Sequence, residues 1–201
     1  TRRTHFNESL VTGEARIFGQ QVVLAVSEFY FSGGSMGVVF GEKFSRAVDY
    51  AIEKRVPVIS LCCSGGARLY EGILALMQMV KAINAVEKLK DNALPYISIL
   101  GDPSAGGALA SFAALGDVII AEPEAMVVFA GPRVMKSRGF PVDDEAIRAT
   151  SLHELSSLVF DRLDYFMDIR GIHETAARKD MKRVLFKYLE FYNKSSGSPL
   201  V

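Results

Sequence analysis

Apolar residues along this chain alternate between short continuous runs and helical spacing. Continuous runs at 22–26, 57–63 and 94–100 are typical of strands buried inside a sheet. A helix is predicted after each run. The apolar residues that mark the first two helices are Phe44, Ala47, Val48, Ala51 and Ile52, and then Ile73, Leu76, Met77, Val80 and Ile83. This alternation predicts an α/β fold with parallel strands and right-handed crossovers.

The other segments complete a single domain, which we expect to span residues 1–201. Residues 1–9 are polar and predict an arm, and 11–17 and 21–31 predict two strands joined by a turn at 18–20. Further elements are predicted as strands at 116–121 and 126–129, a helix opening at 130–133, a helical pattern over 143–168, and a last helix over 180–192.

Glycine pairs stand where two of the predicted strands end and helices begin. Gly65 and Gly66 follow the 57–63 run, and Gly106 and Gly107 follow the 94–100 run through a turn predicted at 101–107. Glycine permits a tight turn and a close approach to the backbone, and a helix start adds unpaired N–H groups. Because neighbouring parallel strands end at one edge of a sheet, both turns are expected at one ligand-binding edge. Their amides suit an anion or an oxyanion.

Composition limits the classes of partner and the compartment. The 201 residues include 23 basic and 23 acidic ones, so neither nucleic acid nor a membrane surface is expected as a partner. The two cysteines, Cys62 and Cys63, are adjacent in a predicted strand and would point to opposite faces. We therefore expect no disulfide between them and a reducing compartment, the cytoplasm or, in a plant or alga, the plastid stroma.

Side chains suited to acid–base chemistry are scarce near the glycine turns. The three histidines, His5, His153 and His173, lie in the arm and in the C-terminal part. A nucleophilic Ser64 or Ser111 paired with His153 stays open as an alternative, although no nucleophile-elbow motif is present. No zinc-ligand spacing occurs. The chemistry predicted here therefore rests on backbone amides.

Several motifs, in order and almost continuous from about 10 to 134, resemble the carboxyltransferase β subunit family of multi-subunit acetyl-CoA carboxylases. They are FSGGSMG at 31–37, GEK at 41–43, SGGAR at 64–68, EGILALMQM at 71–79, LPYIS at 94–98, DPSAGG at 102–107, ASFA at 110–113 and FAGPRV at 129–134. The resemblance implies a crotonase-like (ClpP/crotonase) fold of spiral ββα units.

The same resemblance implies a function and a set of partners. It implies transfer of a carboxyl group from carboxybiotin, held on a separate biotin carboxyl carrier protein, to acetyl-CoA, with malonyl-CoA as the product. A homologous α subunit would complete a hetero-oligomer. The glycine amides implied to stabilise the thioester enolate and the biotin ureido oxygen are those of Gly65, Gly66, Gly106 and Gly107. A side-chain base is then not required.

Coenzyme A is expected at the first glycine loop, through Gly33, Gly34, Ser35, Met36 and Gly37. That loop has no Walker lysine and no dinucleotide fingerprint. Arg68 and Arg133 are candidate anion partners. For Arg68 two roles stay open, a contact with the CoA phosphates or a brace of the turn against Glu71.

The chain also departs from the family pattern. Tyr70 stands where glutamine is usual, 136–170 is longer than the usual segment, and the family's four-cysteine zinc ribbon is absent, so zinc is expected only in a module preceding Thr1. Three other functions stay open: a carboxyltransferase acting on another acyl-CoA, a crotonase-like hydratase or isomerase with Glu71 as base, and a non-catalytic assembly subunit.

Overall fold

A computed structural model describes residues 5–128 and 171–195, and it contains one mixed sheet with helices on both faces. The predicted elements at 130–133 and 143–168, together with Arg133 and His153, lie outside these residues. The strands are β1 (Leu10–Ile17), β2 (Gln20–Ser27), β3 (Val58–Ser64), β4 (Tyr96–Ala105), β5 (Val118–Ala121), β6 (Val127–Val128) and β7 (Glu174–Thr175). The helices are α1 (Val38–Lys54), α2 (Ile73–Asp91), α3 (Gly106–Ser111) and α4 (Met181–Ser195).

The sheet order is β1-β2-β3-β4-β5-β7, with β6 paired to β4. β1 and β2 form the predicted antiparallel hairpin, and α1 follows them as the third part of a ββα unit. The pairs β2–β3, β3–β4 and β4–β5 are parallel, as the alternation of strands and helices predicted. The carboxyl ends of β3 and β4 therefore lie side by side, with Ser64 opposite Ser104.

Alternate residues of the central strands pack into two apolar cores, one on each face of the sheet. Tyr96 and Val58 face a core that includes Phe40, Phe44 and Phe112, which lies on the α1 and α2 side of the sheet. On the other side, isoleucines of β3, β4 and β5 pack against Val184, Leu185 and Leu189 of α4. The predicted inner face of α1 is confirmed, because Phe44, Ala47, Val48 and Ala51 are buried.

The predicted inner face of α2 is wrong. Ile73, Leu76, Met77 and Val80 are each about half exposed or more, from 49% to 67%. The buried side of α2 instead carries Ala75, Gln78, Ala82, Ala85, Val86 and Leu89. Small residues there let α2 approach α1 so closely that a Cβ on Gly41 would strike the Gln78 side chain. The bulky residues point away from the core and form an apolar stripe on the surface.

The second glycine turn begins later than predicted. β4 continues through Gly101, Asp102 and Pro103, which were assigned to the turn, and ends at Ala105. The extension pairs Ser104 and Ala105 with Val127 and Val128 of β6, and this long-range pairing has no local sequence signal. Gly106 is consequently the first residue of α3.

Two further observations concern the two cysteines and the character of the helices. Cys62 is buried, Cys63 is half-buried, and both are free. Within residues 5–128 and 171–195, none of the helices combines the length and hydropathy needed to cross a membrane.

Candidate active site

The two glycine turns touch each other at the carboxyl edge of the sheet. A Cβ built on Gly66 would lie 3.2 Å from Cα of Gly106, 3.3 Å from the amide nitrogen of Gly107 and 3.4 Å from the Ala105 carbonyl oxygen. Gly66 also has φ +111°, a backbone conformation that L side chains rarely adopt. The prediction that both turns lie at one edge is confirmed, and the absence of side chains is what lets them meet.

The first glycine loop is bonded along the outside of the Gly65–Gly66 turn. The Gly65 amide donates to the Gly33 carbonyl at 2.9 Å, and the Met36 amide donates to the Gly66 carbonyl at 2.8 Å. The Arg68 amide in turn donates to the Met36 carbonyl at 2.9 Å. These bonds bring residues predicted separately as a CoA loop and an oxyanion turn into one unit.

The four predicted oxyanion glycines are not equivalent as donors. The Gly65 amide is already bonded to Gly33, and the Gly66 amide donates to the Ser64 hydroxyl at 3.1 Å. Gly106 and Gly107 open α3, where the first amides have no acceptor inside the helix. A charged oxygen accepts a stronger hydrogen bond than a hydroxyl does. We therefore expect the donors to be Gly106, Gly107 and, after the Ser64 hydroxyl is displaced, Gly66.

Four of the five residues of the predicted CoA loop face the protein. The Met36 side chain is fully buried, with its Sδ 3.8 Å from the Ser111 hydroxyl. A Cβ on Gly37 would lie 2.6 Å from Arg68 Nη1. The Ser35 hydroxyl accepts from Arg68 Nε at 3.2 Å. Gly34 is also buried, and a Cβ there would overlap the Cys63 carbonyl, which leaves half-buried Gly33 as the more accessible glycine of the pair.

Arg68 is buried and its three side-chain nitrogens are engaged within the protein. Nη1 donates to Glu8 Oε2 and to Glu71 Oε1, each at 3.0 Å. Nη2 donates to Glu8 Oε1, to the Ser9 hydroxyl at 2.8 Å and to the Ser35 carbonyl at 2.7 Å. With an exposed fraction of 4%, the guanidinium has no free edge for a phosphate. The geometry therefore favours the brace over the contact with CoA.

The charges in this cluster hold each other in the ionised form. Burial works against the charge on Glu8, but hydrogen bonds from Arg68 and Ser9 outweigh it and lower the pKa of that carboxyl. Burial likewise opposes the charge on Arg68, and its bonds with Glu8 and Glu71 raise the pKa of the guanidinium above its usual range. A buried pair of this kind is costly to break from one side, at about 3–5 kcal/mol.

Arg68→Lys is expected to lower turnover while leaving the Michaelis constant for the acyl-CoA nearly unchanged. Lysine keeps the charge but cannot bond Glu8, Ser35 and Glu71 at once, so the turn loses its brace without losing a substrate contact. Steady-state kinetics measure both constants. A raised Michaelis constant with normal turnover would show instead that Arg68 contacts the substrate.

Glu71, Ser64 and Ser111, the described residues that the alternative chemistries would use, are engaged or buried. Glu71 accepts from Arg68 on one oxygen and from the Val38 amide at 2.6 Å on the other, so it is not free to act as a base. Ser64 and Ser111 are both buried. His173 accepts a bond from the Ile119 amide at 3.1 Å, in the β5 and β7 part of the sheet. These contacts disfavour Glu71 as the base of a hydratase or isomerase, whereas the pairing of a serine with His153 falls outside the described residues.

Sequence reasoning missed Glu8 and Ser9. Both were assigned to a polar arm, yet both are buried against Arg68. Their partner lies about sixty positions along the chain, and no local pattern marks the pairing.

Tyr70, the unusual residue of this region, is exposed and places its hydroxyl 3.1 Å from that of Ser32 in the first loop. The described residues contain no group of three or more His, Cys, Asp or Glu side chains arranged to hold a metal ion.

Known proteins resemble this chain in sequence and in fold. The chain is 44% identical over 191 residues to the acetyl-coenzyme A carboxylase carboxyl transferase subunit beta of Endomicrobium trichonymphae, which covers 95% of this chain and 65% of that protein. Transcarboxylase 12S, solved with hydrolysed methylmalonyl-coenzyme A bound, superposes with a TM-score of 0.70 at 32% identity, over 90% of this chain and 33% of that one. The MdcD–MdcE hetero-dimer of Pseudomonas malonate decarboxylase matches with a TM-score of 0.71 at 22% identity, over 91% of this chain and 77% of that one.

The structural neighbours have the crotonase-like fold that the sequence resemblance implied. The chain spans 65% of the length of the Endomicrobium relative, so it corresponds to part of such a protein. The model of the carboxyl transferase domain family matches residues 1–196. This match covers nearly the whole chain, and the chain belongs to that family.

Proposed function

We propose that this chain works as the β-type carboxyltransferase subunit of an acetyl-CoA carboxylase and forms malonyl-CoA from acetyl-CoA. The observation that carries the proposal is the contact between two glycine turns at the carboxyl edge of β3 and β4. The names of the curated relatives support the same reaction.

The chain's own contribution to such a reaction is electrostatic. As the methyl carbon of acetyl-CoA loses a proton to the ureido nitrogen that carboxybiotin frees when its carboxyl group leaves, negative charge grows on the thioester oxygen. Amides of Gly106, Gly107 and, once the Ser64 hydroxyl is displaced, Gly66 stabilise this charge when they point at the oxygen, and each such donor typically contributes about a hundred- to a thousandfold in rate. The absence of side chains on both turns lets a ligand approach these amides closely.

Carboxybiotin, carried on a separate biotin carboxyl carrier protein, supplies the carboxyl group when it is bound. The first glycine loop, with Gly33 at its accessible side, is the proposed contact for CoA. Arg133 keeps its predicted role as an anion partner. The CoA phosphates otherwise depend on residues other than Arg68, because its nitrogens are already bonded inside the protein.

A homologous α-type subunit is the proposed partner, and the apolar stripe of α2 is its proposed docking surface. The stripe begins directly beside the active turns, where Leu69 and Tyr70 are exposed by 88% and 72%. It continues along α2 through Ile73, Leu76, Met77 and Val80. Monomeric proteins rarely leave such a patch in water. Pseudomonas malonate decarboxylase, which shares the fold, is known as the MdcD–MdcE hetero-dimer, and this precedent supports pairing with a second subunit.

The test is an assay of the full-length protein combined with a candidate α-type subunit and a carboxylated biotin carrier protein. We expect malonyl-CoA to form from acetyl-CoA and to depend on both partners, as measured by mass spectrometry. Propionyl-CoA is the comparison substrate, because transcarboxylase 12S binds a methylmalonyl-CoA. Preference for propionyl-CoA would change the assigned acyl group. A folded, assembled complex that carboxylates neither thioester would support the role of a non-catalytic assembly subunit instead.

A further inference from the structure

Glu8 is a buried carboxylate whose partners all lie near the glycine turns. It is 5% exposed, and its side chain accepts hydrogen bonds from Arg68, from the Ser9 amide at 2.7 Å and from the Ser9 hydroxyl at 2.8 Å. Arg68 reaches it with both terminal nitrogens, which is the two-pronged geometry that makes such pairs directional. A residue just before β1 thus provides the counterion for an arginine just after the Gly65–Gly66 turn.

The contacts continue from Arg68 to the first glycine loop and, through Glu71, to α1. Arg68 bonds the hydroxyl and the carbonyl of Ser35 in the first glycine loop. It also bonds Glu71, whose second carboxylate oxygen accepts from the Val38 amide at the start of α1. The Ser9 hydroxyl approaches the Ser35 carbonyl as well, at 2.7 Å. The orientation of the guanidinium therefore sets the spacing between the first loop, the turn and α1.

Glu71 alone does not fix that orientation. It contacts one nitrogen of Arg68 and is itself 24% exposed, whereas Glu8 contacts two nitrogens and is buried. Removing the charge of Glu8 would leave the guanidinium free to rotate toward Glu71 and toward water. The Ser35 bonds would then loosen. Met36, whose carbonyl accepts from the Arg68 amide and whose amide donates to the Gly66 carbonyl, would then no longer hold the direction of the Gly66 peptide units.

We propose that Glu8 is a positioning residue for the glycine turn, acting through Arg68 on the direction of the Gly66 amide. This inference rests on the proposed function only for its kinetic consequence. A misplacement of about 1 Å in a preorganised site costs up to about a hundredfold in rate. Glu8→Gln keeps the shape of the side chain but removes its charge and one of its two acceptor oxygens, so it breaks the two-pronged pair with Arg68.

The test compares Glu8→Gln with wild type in the full-length protein assembled with its partner subunit. At a temperature where both are fully folded by circular dichroism, turnover is expected to fall about ten- to a hundredfold with the Michaelis constant for acetyl-CoA unchanged. Amide hydrogen exchange is expected to accelerate in peptides covering 31–37 and 64–72. A residue that merely stabilises the fold would lower the melting temperature and leave the turnover of folded enzyme unchanged.

The matched control is Glu174→Gln. Glu174 of β7 also pairs with a cation, Lys187 at 2.7 Å, and with the Tyr188 hydroxyl at 3.1 Å, but it lies in the sheet's outermost strand beyond β5. It should change neither turnover nor exchange at the two glycine segments. Normal turnover in Glu8→Gln, or unchanged exchange there, would overturn the proposal. If the wild-type complex shows no carboxyltransferase activity, the proposed function fails and the exchange result alone decides the role of Glu8.

Discussion

Gly66→Ala is expected to reduce carboxyltransferase turnover by about a hundred- to a thousandfold, the typical effect of losing one oxyanion donor. The new Cβ would face Cα of Gly106 at 3.2 Å and the Gly107 amide at 3.3 Å, so the two turns must separate. The contacting atoms all belong to the backbone, so no flexible side chain can move aside to relieve the contact. The amides of both turns would then point away from a common oxygen.

The same substitution also carries a cost in stability. Alanine at φ +111° is strained, and such residues typically cost about 1–3 kcal/mol. A larger residue such as valine would add further steric conflict. Alanine is the better probe, because it is the smallest change that adds a Cβ. Activity should be compared at a temperature where the variant is still folded by circular dichroism.

Gly13→Ala is the control for this experiment. Gly13 lies in β1, has no atom within 4 Å of a built Cβ, and is not in the left-handed region. Its substitution should leave turnover unchanged. Near-normal turnover of folded Gly66→Ala, at saturating acetyl-CoA, would show that the turns do not form the oxyanion site.

Local signals explain what the sequence predicted well. The runs that form β3 and β4 and the glycines that follow them are contiguous, and parallel pairing then brings the turns together without further information. Arg68 and Glu71 are three residues apart, so a brace between them was visible in the sequence. In each case the relevant partners are close in sequence or are fixed by strand order.

Long-range partners explain what was missed. Periodicity placed an apolar face on α2 but could not tell a core face from a surface stripe, and the helix packs through its alanines and Gln78 instead. The end of β4 depends on pairing with β6. Glu8 looked like a solvated residue of a polar arm because Arg68 is sixty positions away. Such contacts depend on the completed fold.

Ile73→Lys is expected to weaken binding of the α-type subunit by roughly thirtyfold or more. Ile73 lies at the start of the stripe, beside the glycine turns, and is 67% exposed, so a partner that covers the stripe must bury it. A lysine there would have to be desolvated or would hold the surfaces apart, and disruption of a central apolar contact typically costs about 2 kcal/mol or more. The isolated chain should stay folded, because exposed positions tolerate such changes within about 0.5 kcal/mol.

Isothermal titration of the full-length protein with the partner subunit measures this effect. Activity at limiting partner should fall in parallel and recover when the partner is in excess, since the glycine turns themselves are unchanged. Phe191→Lys is the control. Phe191 has an exposed fraction of 64%, similar to that of Ile73, but it belongs to α4 on the opposite face of the sheet. Equal loss of affinity in both variants would place the partner elsewhere. Wild-type affinity in Ile73→Lys would mean that the stripe is not covered in the complex, and the active turns would then be complete without a neighbour on that side.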